Sequence, residues 1–443
     1  MEINKYAGPI KELNNIDKSL YDKFDIKRGL RNKNGTGVLV GITKVGDVCG
    51  YKIEDGKKIP AHGELYYRGY PLTKLVKDVE ETHRLGFEEV TYLLIFNSLA
   101  QKEELDCFKE ILASNMSLPR GFFENTILNL PGTDIMNKMM WSMLALYTYD
   151  KDPDNTSIEN VLVQSLSLIA KIPLLAIYSY QAKLHKFGRE SLIIHNPSPD
   201  KSIAENILSM LRPDQAYSKK EAEILDLLLI IHAEHGGGNN SAFATHVVSS
   251  SGTDTYSSIV AGLASLKGPR HGGANIKVSR MLDNIRENIK DTEDESEIKA
   301  YLEDILDKKA FDKKGLIYGL GHAVYTLSDP RELLLKEKAR EIAEIKGRMK
   351  DFLFIERVEN IGAKLIMDRK NMAYLPCANV DLYSGFVYDM LNIPKDLYLP
   401  IFAIARTVGW CAHRLEQIED EKIIRPAYKS LNDKKEYIPM DKR

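Results

Sequence analysis

Two histidine–glycine clusters, set in a chain that otherwise carries helical periodicity, constrain this sequence most. They are His232-Ala-Glu-His235-Gly-Gly-Gly-Asn-Asn and Gly268-Pro-Arg-His271-Gly-Gly-Ala-Asn275. A third, Gly319-Leu-Gly-His322-Ala-Val-Tyr325, follows. Glycine has no Cβ, so backbone at these places can turn sharply and come close to a small molecule. Histidine donates, accepts or transfers protons near neutral pH. Helices joined at such loops therefore point to proton or hydrogen-bond chemistry on a small substrate.

From Pro71 almost to the end the apolar spacing is helical. Leu105, Phe108, Ile111 and Leu112 fall on one face of a helix that must end before Pro119. Ser157 is placed to cap a long helix in which Pro173 predicts a kink. Leu335, Ala339, Ile342, Ile345, Met349 and Phe352 recur at spacings of three and four, which predicts one long amphipathic helix. The charged stretch from Arg286 to Lys314 reads as a solvated helical pair. Before Pro71, residues 37–67 read as short strands and turns, with Val38, Val40 and Ile42 alternating and Glu54-Asp-Gly56 as a turn signal. The fold class expected is mainly α, with a small N-terminal β element.

The chain has 443 residues, 44% of them hydrophobic, enough for more than one domain. A net charge of −2 gives no electrostatic footprint for nucleic acid or anionic lipid. The first thirty residues resemble neither a transit peptide nor a secretory signal, and the longest apolar run, around Leu227–Ile231, is far too short to span a bilayer. Cys49, Cys107, Cys377 and Cys411 show no CxxC spacing, so a reducing, cytoplasmic setting is expected.

Further motifs follow the histidines: Asp329-Pro-Arg331, Asn379-Val-Asp381-Leu-Tyr-Ser-Gly385, Arg406-Thr-Val-Gly-Trp-Cys-Ala-His413 and Arg425-Pro426. In this order, and over nearly the full length, the chain resembles the citrate synthase family. The resemblance implies a two-domain helical fold, with a large domain of residues 1–276 and 388–443 and a small domain of residues 277–387. It implies condensation of acetyl-CoA with oxaloacetate, then thioester hydrolysis, with no cofactor and no metal. Asp381 matches the family's base, His271 the donor to the thioester oxygen, and His322 the residue that polarises and then protonates the oxaloacetate carbonyl. His235, Arg331 and Arg406 match oxaloacetate ligands; guanidinium forks suit carboxylates. Arg425 matches an arginine given across a homodimer to the partner's site. Leu316, Ile317, Gly319 and Gly321 match the loop around the CoA adenine, and Lys370 is a candidate for a CoA phosphate.

The chemistry adds expectations of its own. His271 should open the helix containing Val278 and Met281–Leu282, where an imidazolium is disfavoured. Asp381 should stand near a helix start, whose dipole lowers a carboxyl pKa while burial raises it. Two features depart from the bacterial pattern: residue 323 is Ala, and the run after His235 is unusually glycine-rich. His232 and His235 have the spacing of a zinc pair, but no third ligand is evident. His232 reads as a core residue, His246 and His413 as structural, and His62, His83, His185 and His195 carry no signal. Gly319–Gly321 lacks the third glycine of a dinucleotide fingerprint. The competing readings are a 2-methylcitrate synthase acting on propionyl-CoA, a non-catalytic dimeric relative, and a zinc hydrolase.

Overall fold

The computed structural model describes residues 14–443; the first thirteen, which include the start of the expected large domain and part of the leader reading, lie outside the described residues. A three-stranded antiparallel sheet, in the order β1 (Gly46–Glu54), β2 (Lys57–Tyr67), β3 (Tyr70–Pro71), precedes a helical body. A short α1 (Ser19–Lys23) comes before the sheet. After it run α2 (Leu72–Glu81), α3 (Phe87–Phe96), α4 (Lys102–Asn115), α5 (Ile135–Leu146) and α6 (Ile158–Lys183). Next are α7 (Ile203–Leu211), α8 (Lys219–His232), α9 (Asn240–Ser249), α10 (Thr255–Lys267) and α11 (Ala274–Asn288). The last are α12 (Glu295–Leu306), α13 (Pro330–Ile345), α14 (Met349–Lys370), α15 (Asp381–Met390) and α16 (Tyr398–Ile418). The mainly α expectation with a small β element holds.

Helices α6, α8 and α16 form the centre, and α16 packs on both of the others. Most side chains of α6 and α16 are buried, Trp410 completely, each large apolar group contributing about 1.5–3 kcal/mol by leaving water. Ser157 caps α6, its Oγ accepting from Asn160 N at 3.4 Å, and the helix continues unbroken through Pro173. By length and composition Ile158–Gly188 could cross a bilayer, but 78% of its apolar window is buried inside the protein, so its apolarity is that of a core helix. Around this centre α15 packs on both α11 and α13, and α12 packs against α14.

Two expectations need correction. Residues 38–45 form no strand: Val40 is half exposed and Ile42 fully exposed, because no neighbouring strand pairs with their alternation. The long helix read from Leu335 to Phe352 is two helices, broken at 346–348 where Gly347 takes a φ of 68°. The chain reverses there, Arg348 N bonds back to Ala343 O at 2.7 Å, and Ile345 is left exposed. In α4, Phe108 and Leu112 are buried as expected while Ile111 faces outward. The charged stretch yields the end of α11 and α12, and α12 buries Ile298, Leu302 and Ile305 beneath its charges.

Candidate active site

The first histidine cluster lies just past the end of α8. Its backbone is fixed from three sides. Tyr67 Oη donates to Ile230 O at 2.9 Å, Arg406 Nε donates to His232 O at 2.6 Å, and Gly409 N donates to Ala233 O at 3.2 Å. His232 turns inward, its Nδ1 on Leu228 O at 2.8 Å, as a core histidine. His235 is 7% exposed, and its Nε2 has no protein partner. Arg406, in the buried body of α16, likewise leaves Nη2 without a partner. Buried polar atoms are ordinarily hydrogen-bonded, so both atoms are available to a polar ligand. Burial, reinforced by Arg331, His322 and Arg406, holds His235 well below the usual imidazole range.

His322 stands 5.3 Å from His235, ring centre to ring centre, and stacks on Tyr325 at 4.7 Å. Its Nδ1 accepts the backbone N–H groups of Val324 and Tyr325, both at 3.1 Å. A nitrogen that accepts twice carries no proton, so the neutral ring bears its proton on Nε2. Burial, then the nearby Arg331, pushes its pKa down to about 4. His322 is thus a neutral N–H donor at physiological pH.

Asp381 is the first residue of α15, near a helix start as expected. Asn379 ties it to the His322 loop: Oδ1 accepts Asp381 N at 3.1 Å and Nδ2 donates to Gly321 O at 3.0 Å. Two backbone bonds, Gly321 N to Cys377 O at 2.7 Å and Asn379 N to Gly319 O at 2.9 Å, cross-link the same two segments. The carboxyl is pushed up to about 6, chiefly by burial, with Arg331 and Arg406 opposing. Burial outweighs the helix terminus here. The acid remains mostly ionised at neutral pH yet is a stronger base than an exposed aspartate.

His271 sits in the turn leading into α11, and its Nε2 lies 3.1 Å from Ser241 Oγ. The same hydroxyl accepts from Trp410 Nε1 at 3.1 Å and donates to Asn239 Oδ1 at 2.8 Å. Burial, then Arg406, lowers His271 to about 4, so it too is neutral. Arg331, in the first turn of α13, is buried against its own helix cap: Nε and Nη2 bind Asp329 at 3.0 and 2.7 Å. Its Nη1 has no hydrogen bond among the described residues. Arg331 thus pairs with the capping acid of its own helix.

The charge of Arg406 acts on His235, His271 and Asp381, and that of Arg331 on His235, His322 and Asp381. These six side chains therefore share one electrostatic neighbourhood. Arg425 does not join them; it is exposed in the tail beyond α16. Leu316 is exposed, Ile317 buried, and Gly319 and Gly321 lie in the loop leading to His322. Lys370 is the exposed last residue of α14, and no hydrogen bond among the described residues joins it to that loop. Sequence reasoning missed Ser241, Tyr325 and the Glu234–His413 contact at 3.0 Å. Only the position of Tyr325 inside the His322 motif gave any signal.

The sequence profile described as citrate synthase, C-terminal domain, matches residues 34–427. The chain is 33% identical to the citrate synthase of Haloferax volcanii over 428 residues, covering 95% of this chain and 99% of the relative. It is 31% identical to 2-methylcitrate synthase 1 of Corynebacterium glutamicum over 394 residues, covering 87% and 94%. Among solved structures, it superposes with a TM-score of 0.76 and 25% identity on citrate synthase from Thermoplasma acidophilum in ternary complex with carboxymethyl coenzyme A and oxaloacetate, covering 94% and 99%. The citrate synthase of Pyrobaculum aerophilum gives 0.74 at 29% identity, covering 92% and 94%. These matches define an enzyme of the acyltransferase class. The chain belongs to the citrate synthase family.

Proposed function

We propose that this enzyme condenses acetyl-CoA with oxaloacetate to give citrate and CoA. The observation that carries this reading is the pair of buried, unpartnered atoms, Arg406 Nη2 and His235 Nε2, beside a neutral His322 donor. A dicarboxylate would supply the missing acceptors. Arg331 is the second carboxylate ligand, through its unoccupied edge. Asp381 removes a proton from the thioester methyl group while His271 donates to the thioester oxygen. For that, the Ser241 hydroxyl, which donates to Asn239 Oδ1 in this structure, turns its proton to His271 Nε2 and leaves the ring proton on Nδ1. The enolate carbon, its oxygen still hydrogen-bonded by His271, attacks the oxaloacetate carbonyl, and His322 passes its Nε2 proton to the new alkoxide. The proton taken up by Asp381 returns through water to restore the neutral imidazole. Water then hydrolyses citryl-CoA, releasing CoA thiol.

In this reading His235, His271 and Arg406 belong to a large domain of residues 1–276 and 388–443. His322, Arg331 and Asp381 belong to a small domain of residues 277–387, and closure between the two excludes water. The ion pairs Lys220–Glu341 at 2.6 Å, Lys346–Glu221 at 2.8 Å and Lys338–Glu80 at 3.2 Å would steady that relation. The enzyme acts as a homodimer, Arg425 reaching the partner's site. Support comes from the tail beyond α16, where Tyr428 is 95% and Tyr437 76% exposed, apolar surface suited to a second copy. CoA contacts fall to Leu316, Ile317, Gly319, Gly321 and Lys370. Four unpaired cysteines suit the cytoplasm.

Release of free thiol on mixing the protein with acetyl-CoA and oxaloacetate tests the reaction, and its absence would overturn the proposal. Relatives named 2-methylcitrate synthase make propionyl-CoA the alternative acyl donor. One methylene in an apolar pocket is worth only about 1–3 kcal/mol, so kcat/KM for acetyl-CoA is expected to exceed that for propionyl-CoA by roughly 5- to 150-fold. The reverse ratio would make 2-methylcitrate the product.

A further inference from the structure

Glu234 is wholly buried next to His235, in space that two glycines leave open. A Cβ on Gly409 would lie 2.3 Å from Glu234 Oε2, and one on Gly46 would lie 2.7 Å from Glu234 Cγ. Its Oε1 accepts from Gly236 N, closing the turn that carries His235, and from His413 Nε2 at 3.0 Å. His413 Nδ1 in turn lies 3.1 Å from His246 Nε2, whose Nδ1 is 2.8 Å from Gln417 Oε1. With Gln417 accepting, His246 carries its proton on Nδ1 and accepts at Nε2 from His413. His413 then donates from both nitrogens, as an imidazolium against a carboxylate, and both side chains are fully buried. The atoms of His246, His413 and Glu416 lie within 4.8 Å of one another, a spacing a cation could use, but each imidazole nitrogen already has a partner.

We propose that the Glu234–His413 ion pair positions His235 for oxaloacetate by locking the Glu234–Gly236 turn, and that loss of the His413 proton releases it. The proposal rests on the oxaloacetate reading above. Burial alone would lower the His413 pKa, but Glu234 and Glu416 override it and raise it to about 9. The other charged or titratable groups around the pair are Arg406, Arg68, Tyr67 and His246. Burial lowers Arg68 and pulls Arg406 down only to about 10, so both remain protonated at pH 9, while Tyr67 is raised and His246 is lowered. His413 is the first of the group to lose its proton as pH rises from neutrality. A raised histidine pKa means the pair is intact at neutral pH and is lost as pH rises through about 9.

Calorimetry of oxaloacetate binding to the full chain, from pH 7 to 10, tests this without interference from alkaline thioester hydrolysis. The dissociation constant should stay flat to pH 8 and then climb toward about tenfold per pH unit above the transition. His413→Gln keeps a donor for Glu234 but cannot ionise. Having no charge, it should bind at pH 7.5 about tenfold more weakly than the parent, as the parent does near pH 10, and show no alkaline limb. His413→Ala, checked by circular dichroism for folding, should raise the KM for oxaloacetate about 30-fold while lowering kcat far less. An alkaline limb that persists in His413→Gln, or a folded alanine variant with unchanged KM, would overturn the proposal. Failure of the parent enzyme to release CoA at pH 7.5 would instead refute the reaction assigned above.

Discussion

Asp381→Asn is expected to lower kcat by about three orders of magnitude while leaving the dissociation constant for oxaloacetate within about threefold. An amide fills the same space but cannot take a proton from the thioester methyl. Oxaloacetate is held by His235, Arg331 and Arg406 in the proposed mechanism, so its binding should survive. The parent enzyme supplies a second signature. Because Asp381 titrates at about 6, kcat/KM for acetyl-CoA should fall below pH 6, approaching tenfold per unit, as the base becomes protonated.

The same variant should be more stable than the parent. A carboxyl whose folded pKa is raised from 3.8 to about 6 destabilises the fold once it ionises. The penalty is absent below pH 4, grows through pH 4–6 and is complete above pH 6. Asp381→Asn is therefore expected to gain on the order of 1–2 kcal/mol at pH 7.5, discounted because the side chain keeps some exposure, and nothing at pH 3.5. Urea titrations at the two pH values check this. An active, unstabilised asparagine variant would remove Asp381 from the site.

Much of this was legible in the chain because the chemistry is packed into short motifs. His235, His271, His322, Asp381 and Arg406, the proposed site residues, each lie in a short motif that contains glycine. The helices were legible where one face is buried, as in α4 with Phe108 and Leu112 inward, while α6, buried nearly all round, was legible from its Ser157 cap. What escaped depends on partners far away along the chain. Glu234 and His413 are 179 positions apart, and no local pattern links them. Ser241 meets His271 only because α9 and the turn before α11 converge. The alternation at Val38–Ile42 predicted a strand that lacks a neighbour, and the periodicity across Gly347 hid a reversal that preserves the spacing. Periodicity records which face is apolar, not which element covers it.

Arg406→Leu is expected to raise the KM for oxaloacetate by about 10²–10³-fold, with a smaller loss in kcat at saturation. Removing a buried, charge-assisted contact to a carboxylate costs roughly 3–4 kcal/mol, because the substrate's charge is then buried without its counter-ion. The guanidinium also donates to His232 O at 2.6 Å, so its loss loosens the turn before His235. Leucine fills most of the volume, and replacing a buried charge by an apolar group is often tolerated, so the variant should fold. Arg406→Lys separates the two contributions: it keeps the charge but loses the planar fork, and should fall between, near tenfold in KM. Because Arg406, after Arg331, opposes the burial that raises Asp381, the leucine variant should also raise that carboxyl's pKa, moving the acid limb from about 6 toward neutrality. If Arg406→Leu bound oxaloacetate as tightly as the parent, the orphaned Nη2 would have no ligand to explain it, and the dicarboxylate site would lie elsewhere.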